Sequence, residues 1–180
     1  MEKRVGFGMR LAATLIDLAV VGVVGLVVGA ALGGMLGGGI GGMLGGSAGG
    51  DGAAGAALGA AVGAVLGAVA AFGGFVFLYS LIEAVAGASP GKMVLGLRVG
   101  TADGRRGGTT LYVKRWAIKY CGTLLGLLGA VPGLQVLGLV APVAGLAIFV
   151  GCFLVLGDKR QALHDLGATS AVFRKTDLAA

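Results

Sequence analysis

Charge is missing from this sequence over lengths that only a bilayer tolerates. Residues 11–86 carry three charged side chains, Asp17, Asp51 and Glu83, and residues 120–157 carry none. Each stretch exceeds the ~20 apolar residues that cross a ~30 Å hydrocarbon layer. Charged residues make up 12% of the chain, where a soluble domain carries about 25%. A soluble globular enzyme is excluded. The expected class is an all-α integral membrane protein.

The apolar stretch after MEKRVGFGMR is too long for the core of a signal peptide and contains Asp17, so it reads as an uncleaved first span. The dipeptide Pro132-Gly133 divides 120–157 into two short spans, and Pro142 would kink the last helix. The expected arrangement is one membrane domain over 1–180, with four transmembrane helices at about 10–33, 64–86, 114–131 and 135–156. A Gly/Ala-rich insert occupies about 34–63, a polar segment 87–113 and a tail 157–180.

All 14 Lys and Arg residues fall within 3–10, 92–119 and 159–175. That bias places every basic segment, and both termini, on the cytoplasmic face. The net charge of +6 then matches anionic lipid headgroups rather than nucleic acid. In the polar segment Asp103-Gly104 is a hairpin-turn dipeptide, and the AVFRK stretch of the tail is expected to pair as a strand with VLGLRV, giving a small cytoplasmic β-hairpin-like segment. Tyr112, Trp116 and Tyr120 recur at i+4 with basic shoulders Lys114, Arg115 and Lys119. Such a stripe suits a helix meeting the headgroups, or equally a helix start packed on protein.

Gly25, Gly29, Gly33, Gly37, Gly41, Gly45 and Gly49 form an unbroken i+4 series, and Gly55, Gly59, Gly63 and Gly67 form another. In water each would cost a helix about 1 kcal/mol. In lipid an opened backbone has nothing to bond, so helix persists, and a glycine stripe lets another backbone approach closely. The pattern resembles a glycine-zipper helical hairpin between the first two spans, with a flexible loop as the competing reading. Packed between subunits, the stripe would make a homo-oligomer.

No nucleophile–base pairing, cofactor motif or metal-ligand spacing stands out. GASPGKM lacks the length and the Ser/Thr of a phosphate loop, and Cys121 and Cys152 read as small core residues. No cofactor, metal or enzymatic activity is expected. The intramembrane charges are more informative, because an ionised group at mid-bilayer costs about 2.5–3.5 kcal/mol on insertion scales. Arg10 and Asp17 share one helix face at i+7, about 10 Å apart. Asp17 is either a cation- or proton-binding carboxylate or an interhelical polar anchor. Glu83 lies near the end of the second span, at comparable depth. His164-Asp165 follows the last span, with Asp158 just before it.

Three segments, GFGMRLAATLIDLAVV at 6–21, SPGKMVLGLRV at 89–99 and DKRQALHDLGATSAV at 158–172, resemble in order the signature regions of the RDD family of bacterial membrane proteins. By that resemblance Arg10 is the family arginine, Asp17 its first aspartate and Asp165 its second, with Asp158 a rival for the last. Met93 stands where the pattern commonly has a basic residue, and the glycine-rich insert lies outside it. The resemblance implies a multi-pass protein of the bacterial inner membrane, with cation–proton coupling suggested for some members. Two functions are therefore expected. One is an ion-coupled transporter or channel subunit built on Arg10, Asp17, Asp165 and Glu83, with Asp158 and His164 secondary. The alternative is a non-catalytic scaffold that oligomerises or recruits partners through its glycines.

Overall fold

Two long helices carry most of the first charge-poor stretch: α1 (Phe7–Ser47) and α2 (Gly52–Ala86). The computed structural model of the chain describes residues 3–47 and 52–179. Asp51 and Gly49 lie outside the described residues, as does the side-chain packing at Gly37, Gly41, Gly45 and Gly55. At 41 and 35 residues, the helices extend about 60 Å and 50 Å at 1.5 Å per residue. Both therefore run on past the expected span ends, and α1 continues through Gly33 without a break.

Three helices among the described residues are long and apolar enough to cross a membrane: Phe7–Gly33, Ala57–Ala86 and Gln135–Leu156. The expected span at 114–131 departs from this. It is split into α4 (Thr109–Lys119) and α5 (Cys121–Gly129), which meet at Tyr120 with ψ 18°. The halves differ in chemistry. α4 carries three basic residues, whereas α5, CGTLLGLLG, carries none. Nine residues make about 14 Å of helix, too little to cross alone. After a turn at Pro132-Gly133 comes α6 (Gln135–Gly151), which continues through Pro142 and tightens into a 3-10 turn at Cys152–Leu156.

Small residues bring these helices together. A Cβ on Gly33 would lie 2.7 Å from the Ala68 backbone nitrogen, and one on Gly25 would lie 2.6 Å from the Phe72 ring. Gly59, Gly63 and Gly67 are buried at the same four-residue interval on α2. At Gly25, Gly29 and Gly33 the neighbour is thus α2 of the same chain. A second seam joins α5 to α6. A Cβ on Gly122 would lie 2.8 Å from Gly145 N and 2.9 Å from Ala141 O.

The chain divides into two compact units, Leu18–Tyr79 and the remainder, Met1–Asp17 with Ser80–Ala180. The first has no Lys or Arg and presents apolar side chains outward, Leu26 being 71% exposed and Leu58 68%, as a lipid-facing surface should. The second holds every basic residue. It also contains α3 (Pro90–Val94), β1 (Leu97–Thr101), α7 (Leu163–Gly167) and β2 (Ser170–Arg174).

β1 and β2 pair antiparallel from Leu97↔Arg174 to Thr101↔Ser170, as expected of the AVFRK stretch. Asp103-Gly104 does form a turn, with Gly104 N bonded to Thr101 O. The ladder partner of β1 nevertheless comes from the tail, some seventy residues on in the chain. Val5 N donates to Val172 O at 2.9 Å, so the N-terminal residues join the same module. Val5, Ala13, Leu97, Val99, Tyr112 and Val172 form its core. Tyr112 and Trp116 are buried, and Trp116 Nε1 donates to Ser80 Oγ at 3.0 Å. The aromatic stripe packs on protein.

The α5–α6 seam makes a direct prediction. Gly122→Ala forces backbone against backbone and is expected to destabilise the protein by about 1–3 kcal/mol. Gly73→Ala, in open space within α2, is expected to be neutral or stabilising by up to about 1 kcal/mol. Thermal unfolding of both variants in detergent checks the contrast.

Candidate functional site

Five helices of the charged unit deliver one or two ionic side chains each to a common place. Arg10 comes from the start of α1 and Glu83 from the end of α2. Lys92 comes from α3, Arg115 and Lys119 from α4, and His164 and Asp165 from α7. Gly87 stops α2 just beyond Glu83. Its φ is +70°, a left-handed helix cap, and its N–H bonds to the Glu83 carbonyl at 3.0 Å. Asp165 is fixed by its own helix start, its carboxylate accepting the Ala162 N–H at 3.2 Å.

Arg115 is the hub. Its Nε donates to Asp165 Oδ1 at 2.6 Å, and its Nη1 donates to Glu83 Oε1. Asp165 Oδ2 receives Arg10 Nη1 at 2.5 Å. Glu83 also takes Lys92 on Oε1 and Lys119 on Oε2, the latter at 2.6 Å. Arg115 is 2% exposed, Glu83 3% and Asp165 0%. Arg10 has further acceptors in the carbonyls of Val5 and Arg160. Arg160 offers that carbonyl from a left-handed conformation, φ 47°.

Asp17 occupies a neighbouring site. It accepts Ser89 Oγ at 2.5 Å on Oδ2 and Gly91 N at 2.7 Å on Oδ1. A Cβ on Gly91 would strike Ala13 O and Asp17 Oδ1, so only glycine lets the turn approach α1 this closely. Arg10 and Asp17 were expected on one face of the same helix, about 10 Å apart. The structure aims Arg10 at Asp165, which bonds it directly, whereas a residue seven positions along the same helix lies about 10 Å away.

The electrostatics follow from this packing. Burial alone would raise the Asp165 carboxyl, but Arg115, Arg10 and His164 more than offset it and hold it well below the usual carboxylate range. Burial, assisted by Arg115, pushes His164 down to about 3. Arg115 Nη2 lies 3.0 Å from His164 Nε2 and can only donate, so Nε2 is the acceptor and the imidazole proton sits on Nδ1. Burial first, with Arg115 and Lys119 adding to it, lowers Lys92 to about 8 despite Glu83.

The network closes three of the sequence expectations together. Arg10, Glu83 and Asp165 meet through Arg115, and His164 packs beside them. Asp158, the rival to Asp165, is exposed. A model of the RDD family matches residues 4–169, which spans both sides of this network and nearly the whole chain. The chain belongs to the RDD family. Comparison with curated proteins finds no match, and comparison with solved structures finds none. The RDD arginine and aspartate positions implied by the resemblance, Arg10 and Asp165, are thus in direct contact, and the Asp17 position holds the SPGK turn.

Lys92, Arg115, Lys119, Ser89 and Gly91 were not anticipated as site residues. Lys92 lay in view, inside the SPGKM segment of the RDD resemblance. Arg115 and Lys119 stand at i, i+4 on a helix whose aromatic residues turned out to be buried, a spacing that puts both on one face. Among the described residues no His, Cys, Asp and Glu group is placed to hold a metal ion.

Arg115→Ala strips a shared cation from two buried carboxylates and is expected to destabilise the protein by about 3–5 kcal/mol, read as loss of thermal stability in detergent. His164 sets a pH dependence. The unfolded chain takes up its proton near 6.5 and the folded chain only near 3. Between these values the unfolded state binds more protons, so stability falls as pH drops through the window. His164→Gln is expected to flatten the unfolding profile from pH 6.5 to 4, leaving the acid loss from Asp165, which sets in as pH falls below the ordinary carboxylate range.

Proposed function

We propose that this RDD family protein is a non-catalytic membrane scaffold, in which the charge network latches a polar module to the ends of the membrane helices. The observation that carries this reading is the occupancy of its carboxylates. Asp165 lies between Arg10 and Arg115, Glu83 receives three cations, and Asp17 accepts a hydroxyl and a backbone N–H. A transported cation would have to displace these partners. The confinement of Lys and Arg to one unit supports a cytoplasmic module in a bacterial inner membrane. Exposed basic residues such as Arg105, Arg106 and Lys175 suit anionic headgroups there. The reading needs no homo-oligomer, because Ala68 and Phe72 of the same chain cover Gly25, Gly29 and Gly33.

Ion-coupled transport is the second reading, and one observation favours it. Asp17 lies within the span Phe7–Gly33, yet its partners Ser89 and Gly91 belong to a polar turn that could release it to solution. Proteoliposomes holding a trapped pH dye, challenged with external sodium or potassium, separate the two. The scaffold reading expects no cation-driven proton movement, together with an Asp17→Asn stability loss of about 1–2 kcal/mol. Proton movement that disappears in folded Asp17→Asn protein would establish transport instead.

A further inference from the structure

The network has more positive charge than its carboxylates can balance. Among the described residues the ion-pair partners of Arg10, Lys92, Arg115 and Lys119 are Glu83 and Asp165, and His164 is neutral beside them. Counting Asp17, one turn of chain away, still leaves cations in excess. Buried charge without a partner is costly in a low-dielectric setting. Donors are in surplus as well. The four carboxylate oxygens of Glu83 and Asp165 are all engaged, whereas each lysine ammonium carries three N–H groups. The His164 Nδ1 is also buried without a hydrogen-bond partner.

The surplus has an outlet at one corner. Lys92 and Lys119 sit on the two oxygens of the same carboxylate, so one side chain, Glu83, positions both ammonium groups. Lys119 is the more open, its side chain 29% exposed against 10% for Lys92. Its Nζ is steadied 5.1 Å above the Tyr120 ring. Location narrows the chemistry. Lys119 is the last charged residue before the charge-free run 120–157, and Glu83 lies three residues from the end of the span Ala57–Ala86. That is the depth of lipid phosphates.

We infer that Lys92 and Lys119, paired on Glu83, form a binding site for a phosphate-class anion, supplied by an anionic lipid headgroup or by free phosphate. The site rests on the reading of the network as a fixed latch, and it gives that latch its missing counter-charge. Arg115 and Glu83 set the two ammonium groups in place, and the anion takes their unused N–H donors.

The test is thermal unfolding of the full chain in neutral detergent. One arm titrates inorganic phosphate against chloride at matched ionic strength. The other compares mixed micelles of phosphatidylglycerol with phosphatidylcholine. A saturable rise in Tm is expected. Lys119→Gln should weaken the apparent affinity about tenfold, the worth of one charge-assisted hydrogen bond. Lys119→Arg should retain it, and Lys114→Gln, an exposed lysine on the same helix, should leave it unchanged. A rise with phosphatidylglycerol alone assigns the site to lipid, and a rise with phosphate as well assigns it to the phosphate group itself. No saturable rise beyond chloride and phosphatidylcholine would overturn the proposal. So would equal weakening by Lys114→Gln and Lys119→Gln. Should Lys119→Gln not fold, the wild-type titrations and the Lys119→Arg and Lys114→Gln pair decide. Failure here leaves the latch standing, because Arg115→Ala tests that by stability alone.

Discussion

One guanidinium holds this architecture in place. Arg115 touches Glu83 at the end of α2 and Asp165 at the start of α7 while belonging to α4, so three elements far apart in sequence are fixed by one planar group. A lysine could not do this, because a compact ammonium lacks the rigid fork that aims separate N–H donors at separate acceptors. Without Arg115, Glu83 would keep Lys92 and Lys119 and Asp165 would keep Arg10, but no side chain would join the two carboxylates, and a buried oxygen of Asp165 would lose its charged donor, a costly loss.

Apolar and polar units are held by different physics. Between membrane helices hydrophobic burial offers little, because lipid is as apolar as leucine. Close backbone approach takes its place, at Gly29 and Gly33 against α2 and at Gly122 against Gly145, while Gly25 makes room for the Phe72 ring. The charged unit has a conventional core of Val5, Leu97, Val99 and Val172, and its central ionic side chains, Glu83, Arg115 and Asp165, are themselves buried. Tyr120 marks a transition between the two regimes. Before it α4 spends its basic side chains on carboxylates, and after it α5 has no charge to place.

Much of this was readable beforehand. Charge-free lengths demand a membrane, and the expected pairing of AVFRK with VLGLRV is the one β1 and β2 make. Arg10 and Asp165 entered through the motifs that carry the family resemblance. What stayed hidden were relations across space. Arg115 and Lys119 looked like shoulders for headgroups because periodicity assigns residues to a helix face without saying what lies opposite. Asp17 and Arg10 were read together because both lie on one helix face, yet the carboxylate that bonds Arg10 is that of Asp165, 155 residues away in sequence. The expected span at 114–131 is not among the three long apolar helices for a similar reason. Hydropathy averages over Tyr120, where α4 gives way to α5.

The two RDD aspartates do separate jobs, and the difference explains the SPGK turn. Asp165 meets cations, whereas Asp17 takes a hydroxyl and a backbone N–H. The turn is thus tied at both ends, by Ser89 and Gly91 to Asp17 on α1 and by Lys92 to Glu83 on α2. It is a strap between two membrane helices. Its three working residues lie within four positions, too short a distance for one end to move freely while the other stays bound. Any shift of α1 at Asp17 must therefore disturb Lys92, and through Glu83 it reaches Arg115 and Asp165. The strap and the latch form one mechanical circuit, with α1 entering it twice, at Asp17 and again at Arg10.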